Sequence, residues 1–340
     1  MKPTSASGND HGGHPGHEKK TYIVTKSLWK NLCSLKRVGL KIPEQSFVEE
    51  IENELIAMIR ENLASGPIGL EVIAFDDLCD EIIVMAHKVK QLYPDATVLS
   101  TAPLIAFEAD GECIHLNRII NFNGDIIGIG PRPGHPSLSK QLRLIGDTPL
   151  IVIEDGSFTG GSLMHLLQIT GPSRVKAIIL GILFPKAHQK LEKHFDGEVH
   201  CHRNSTDDLV EWMPTHDFFP FIPNSGRVVG DKLGEGCFPY YLHHHASMSM
   251  PYIMPYGDPE DWASLRGDRA ALAAFSSKCL EMTRSIFGEM SKLNDKEITV
   301  GDIINSSPRT NIPVSMGQHD FSDLTESVSE ILTGDIQFLS

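Results

Sequence analysis

The spacing of apolar residues predicts different elements along the chain. In residues 43–62, Phe47, Ile51, Leu55, Met58 and Ile59 recur at helical spacing and share one face. Residues 75–93 repeat that pattern, with Asp76 or Asp77 at the N-terminal end, where a helix dipole favours negative charge. Residues 96–122 read as strands with a hairpin turn at Ala109-Asp110-Gly111. From 125 short apolar runs alternate with amphipathic ones. Strands are expected at 125–130, 149–155, 174–184 and 197–202, and helices at 136–145, with Ser137 as cap, at 160–170 and at 186–195. Beyond 203 the chain turns loop-rich and aromatic. A long helix is expected at 268–293, a short one at 297–305 and a weak one near 321–332.

Apolar strands alternating with helices predict an α/β protein, with a parallel sheet covered on both faces and right-handed crossovers. The expected division is a disordered tail (1–20), a helical N-terminal segment (21–95), an α/β core (96–230) and a loop-rich, helical C-terminal extension (231–340). The tail is too polar to order itself. Its His11, His14 and His17 offer at most a weak metal site.

The chain has 340 residues, 41% of them hydrophobic, enough for a sizeable core. A net charge of −14 argues against nucleic acid and anionic membrane as partners, because both call for a basic face. Cys33, Cys79, Cys113, Cys201, Cys237 and Cys279 are scattered. With no apolar leader or spanning run, they suggest reduced thiols and a cytoplasmic location.

The densest chemistry lies in "LIVIEDGSFTGGSL", 150–163. Four apolar residues run into Glu154 and Asp155 at the end of a buried strand, where open parallel sheets bind ligands. Gly156, Gly160 and Gly161 bare the backbone, and the helix that follows adds N–H donors and positive dipole. Thr159 and Ser162 add hydroxyls. The acids repel phosphate but suit sugar hydroxyls or a hard cation. The stretch therefore reads as a cradle for a ribose 5-phosphate. It lacks the lysine of a P-loop, and "GIGPRPG" (128–134) is a poor dinucleotide fingerprint. A sharp strand-to-helix turn with incidental acids is the plain alternative.

Residues 150–162 resemble, position for position, the PRPP-binding signature of the type I phosphoribosyltransferases: four apolar residues, two acids, a short turn, then T-G-G-[ST]. The resemblance spans about 120–230. It implies a type I phosphoribosyltransferase-like sheet and transfer of a 5-phosphoribosyl group from 5-phosphoribosyl 1-diphosphate (PRPP) to a nitrogenous acceptor. It also implies Mg²⁺ and ribose at Glu154 and Asp155, and a 5-phosphate on Gly156, Ser157, Phe158, Thr159, Gly160, Gly161 and Ser162. Members are often dimers.

The family's second loop, after the first core strand, binds pyrophosphate. Here Gly130, Pro131, Arg132 and Gly134 would fill that role, with Arg132 as the cation unless it is an ordinary surface arginine. His135 reads as a solvated loop residue. An aromatic residue after the last strand stacks on the base in purine-type members. Phe218 or Phe219 would do so here, with Asp217 or Arg227 on polar edges, unless these phenylalanines are core.

Two features depart from the pattern. Phe158 stands where purine-type members carry a basic carboxylate, and only about twenty residues separate Gly130 from Leu150, short for a closing loop. Both leave open a non-catalytic PRPP sensor. A zinc site from Cys201, His202, Cys237 and the histidines at 243–245 matches no standard spacing.

Overall fold

A computed structural model describes residues 20–63, 68–234, 236–241, 247–304, 309–311 and 324–340. The three tail histidines and the 243–245 histidines lie outside the described residues. The elements, in chain order, begin with β1 (Lys20–Lys26), α1 (Leu28–Cys33), α2 (Gln45–Asn62), β2 (Ile68–Ala74), α3 (Phe75–Leu92), β3 (Thr97–Ser100), α4 (Pro103–Glu108) and β4 (Glu112–Cys113). Next come β5 (Leu116–Ile120), β6 (Ile126–Pro131), α5 (Leu138–Ile145), β7 (Leu150–Ser157), α6 (Gly161–Thr170), β8 (Val175–Leu183), α7 (Pro185–His194), β9 (Glu198–Asn204) and β10 (Asp208–Pro214). The rest are β11 (Arg227–Leu233), β12 (Gly236–Pro239), β13 (Ser247–Met250), α8 (Pro259–Ala263), α9 (Arg269–Asn294), α10 (Val300–Ile304), β14 (Arg309–Asn311) and α11 (Val328–Leu339).

A five-stranded sheet has the order β4-β3-β7-β8-β9, and every pairing in it is parallel. Its two faces explain the unbroken apolar runs of β7 and β8, because successive side chains point to opposite sides. Ile151, Ile153, Ala177 and Ile179 pack with Leu78, Ile82 and Ala86 of α3. Leu150, Val152, Ile178 and Leu180 pack with Leu163 and Leu166 of α6 and Ala187 and Leu191 of α7. The expected α/β architecture, with parallel strands flanked by helices, is present.

A three-stranded parallel sheet, β10-β1-β2, stands beside it. In β1, Ile23 joins the α3-side core of the larger sheet. Tyr22 and Val24 join a second core with α1, α2, α9 and α11. A mixed six-stranded sheet contains β14-β13-β11-β5-β6, with β12 paired to β11. Asp268 caps α9, its carboxylate accepting the Ala271 N–H at 2.8 Å.

Several expectations need correction. Residues 21–26 and 68–74, within the stretch read as helical, are strands, with Lys20 of the expected tail opening the first of them, and so is 208–214, read as loop. There is no hairpin at 109–111. Those residues end α4 and lead into β4, which runs parallel to β3. The strand at 125–130 exists as β6, but it pairs antiparallel with β5 in the mixed sheet. Ser137 sits at the α5 N-terminus without a side-chain capping bond.

Candidate functional site

Residues Leu150 to Ile153 are wholly buried, and β7 then emerges at its carboxyl end with Glu154, Asp155 and Gly156 half-buried. The carboxylate of Glu154 accepts two bonds from one residue: the Thr101 N–H at 2.9 Å and the Thr101 hydroxyl at 2.6 Å. Asp155 Oδ1 accepts the Gly156 N–H at 2.8 Å. Burial, then the charge of Asp155, pushes the Glu154 carboxyl up to about 7. Burial also raises Asp155, against a lowering from the Gly156 N–H and the charge of Arg132. Both carboxyls are raised chiefly by burial, which outweighs the opposing charge of Arg132.

The Gly-rich turn follows directly. Ser157 is buried, and its carbonyl accepts the Phe184 N–H at 3.1 Å, which ties the ends of β7 and β8 together. Phe158 is half-buried, edge-on to Phe184 with centroids 6.0 Å apart. Thr159 is exposed, Gly160 adopts the left-handed φ of 72°, and Gly161 opens α6. The first N–H groups of a helix have no partner within it, so this turn presents backbone donors beside the acids. Two lysines of α7 border it. The Lys186 amine lies 5.4 Å from the Phe158 ring centre, and a Cβ on Gly160 would meet the Lys190 stem at 3.4 Å.

Gly156 has a different reason to be glycine. A Cβ there would come within 2.3 Å of the Trp212 ring and 2.9 Å of the Ile182 carbonyl. Trp212, on β10, is fixed by a 2.6 Å bond from its indole N–H to the Thr25 hydroxyl, and it stacks edgewise on Phe184. Gly156 thus serves the packing of the two parallel sheets.

Arg132 reaches the acids by an indirect route. Its side chain is half-buried and donates to the Thr101 carbonyl at 2.9 Å and the Leu116 carbonyl at 3.2 Å. The turn that carries it is fastened to residue 115. The Arg132 N–H donates to the His115 carbonyl at 2.8 Å, and the amide of Gln141 bonds His115 N–H at 2.7 Å and Pro136 carbonyl at 2.7 Å. His135 is half-buried rather than solvated, and its ring stacks on His115 at 3.6 Å. Burial, with His135 and Arg132 nearby, holds His115 down at about 4, so it stays neutral at pH 7. Pro131 is buried. Gly130 packs against β12, where a Cβ would overlap the Cys237 carbonyl at 2.1 Å, while Gly134 is exposed with φ 77°. Of these four residues, the geometry brings Arg132 to the acids.

Phe218 and Phe219 are placed differently from the expectation. Both have 0% exposure. Phe218 meets Tyr252 and Phe275 edge-on inside the second core. Neither presents a face to a ligand. Asp217 is buried too, accepting the Gly226 N–H at 2.8 Å. Arg227 lies over Tyr252 and Trp262 and donates to the Trp262 carbonyl at 3.0 Å.

Sequence reasoning missed Thr101, Trp212 and the α7 lysines. Thr101 follows β3, the first strand of the five-stranded sheet, but an apolar run broken by "STAP" looked like continuing strand. The one available signal was Pro103, a residue suited to the first turn of a helix.

Among the described residues no group of three His, Cys, Asp or Glu side chains is arranged to hold a metal. Cys201 and Cys237 are free thiols. No helix among the described residues is long and apolar enough to cross a membrane. No protein-family model matches the chain, and no curated protein matches it.

Proposed function

We propose that the carboxyl end of β7 binds PRPP and that the protein transfers the 5-phosphoribosyl group to a nitrogen acceptor. The nitrogen forms a bond to ribose C1, the bond from C1 to the diphosphate oxygen breaks, and pyrophosphate leaves with that electron pair. The acceptor then loses a proton. The observation that carries this reading is the pairing of half-buried Glu154 and Asp155 with a left-handed glycine turn at the start of α6.

In this reading Glu154 and Asp155 orient the ribose hydroxyls, and the backbone of 158–162 binds the 5-phosphate. Arg132 and the loop at Thr101 face the diphosphate, and three of the five guanidinium N–H donors remain after its two carbonyl bonds. Trp212, half-buried beside Gly156, replaces Phe218 and Phe219 as the aromatic wall for the acceptor. Two hard, adjacent carboxylates fit a magnesium ion that is shared with a substrate and keeps several waters. Bound there by Glu154 and Asp155, it would neutralise charge on the diphosphate. Rate gain would come from positioning and preorganised charge, with no covalent intermediate.

A sensor that binds PRPP without turnover is the second reading. Phe158 favours it, since an aromatic ring offers no proton acceptor beside the turn.

Calorimetric titration with PRPP and Mg²⁺ tests the proposal. The parent chain is expected to bind, and Asp155→Asn to bind at least roughly tenfold more weakly, the size of a lost charged hydrogen bond. A folded parent chain that takes up no PRPP refutes both readings. Pyrophosphate release with a panel of nitrogenous bases separates enzyme from sensor.

A further inference from the structure

Glu154 and Arg132 flank one loop, and each is bonded to Thr101 rather than to the other. The Thr101 N–H and hydroxyl occupy the carboxylate at 2.9 and 2.6 Å, and its carbonyl takes the guanidinium at 2.9 Å. One residue therefore uses all three of its polar groups on these two side chains. The loop has little freedom of its own. The Ser100 hydroxyl accepts the Ala102 N–H at 3.0 Å, and Pro103 begins α4 directly. Neither partner is saturated. A carboxylate offers about four acceptor positions and a guanidinium five donors, so two remain on Glu154 and three on Arg132.

We propose that Thr101 is a positioning residue for this site: it fixes the acid that orients the sugar and the cation that receives the diphosphate in one rigid frame. The proposal rests on the PRPP reading above. Its hydroxyl acts on the sugar side, through Glu154, and its carbonyl on the diphosphate side, through Arg132. Without the frame, Glu154 has rotamers in which its oxygens point away from the cleft, and the ligand must restrict them at a cost in affinity.

Removing the hydroxyl leaves the carbonyl in place, so the two subsites should respond unequally. The full chain and its Thr101→Val and Thr101→Ser variants are titrated with PRPP and, separately, with inorganic pyrophosphate, both with Mg²⁺, and their melting temperatures are recorded. Thr101→Val is expected to bind PRPP at least tenfold more weakly and pyrophosphate within twofold of the parent. Thr101→Ser, which restores the hydroxyl, is expected within threefold of the parent for both ligands. The proposal is overturned if Thr101→Val binds PRPP as the parent does, or if Thr101→Ser is as weak as Thr101→Val. Equal losses for both ligands, as from a loosened fold, overturn it too, as does a parent that takes PRPP but no pyrophosphate. A parent that binds no PRPP removes the functional reading itself, a result the variants cannot mimic.

Discussion

At the carboxyl edge of the three-stranded sheet, Asp217 is 7% exposed and spends its carboxylate on the Gly226 N–H. Next to it Glu52 of α2, 2% exposed, accepts the Leu28 N–H and the Thr215 hydroxyl. At the carboxyl edge of β7, Glu154 and Asp155 stand half-buried beside glycines. Both edges belong to parallel strands and both collect acids, so neither topology nor residue type separates them. The difference lies in what comes after the strand. β10 runs into a 3₁₀ turn and an aromatic cluster that seals the edge with Phe218 and Phe219. β7 runs into the left-handed glycine turn that starts α6, and its two acids keep part of their surface exposed.

Three substitutions test that contrast, in order of expected effect. Phe218→Ala empties a fully buried site in the sealed edge and should cost about 3–5 kcal/mol. Denaturant unfolding measures it, and PRPP binding by the folded fraction should be unchanged. Gly156→Ala tests whether the glycine at the β7 edge serves packing. A Cβ pressed on Trp212 should cost about 1–3 kcal/mol, and Trp212→Leu in the same chain should recover part of that loss. No recovery would return Gly156 to the phosphate.

The smallest effect is a gain. The Glu154 carboxyl sits at about 7 in the folded chain against an ordinary 4.5, because burial opposes its charge. The native state therefore binds more protons than the unfolded chain between those values. The stability linked to this group is full below about 4.5 and is lost as pH rises through about 7. Glu154→Gln should raise the melting temperature at pH 8 by on the order of 2 °C, leave it unchanged at pH 4, and weaken PRPP binding.

Local pattern revealed much of this molecule. The apolar run of β7, its acids and the start of α6 stand in thirteen consecutive residues, and their chemistry is written in side-chain type and order. β8, α7 and β9 follow the same logic, because each side of the sheet imposes its own period. Long-range pairing was not legible. β1, "KTYIVTK", shows no clean alternation because it is buried on both faces, and its partners start 48 and 188 residues later, at Ile68 and Asp208. Within the site, Arg132 was visible as a cation in a turn. Thr101 was not, because its role depends on a strand end that only the folded sheet brings to Glu154. Phe218 and Phe219 were misplaced because core and platform aromatics look alike in one dimension.

β1 has one further consequence. Its central isoleucine plugs the interior of the large sheet while its flanking tyrosine and valine plug the helical half, so the strand is a party wall between two rooms. A fragment trimmed to 96–230 would lose that wall and leave β10 as a bare ribbon, open to pairing with another molecule. The smallest piece that can stand alone must therefore reach back across the helices to Lys20, although the proposed site begins eighty residues later.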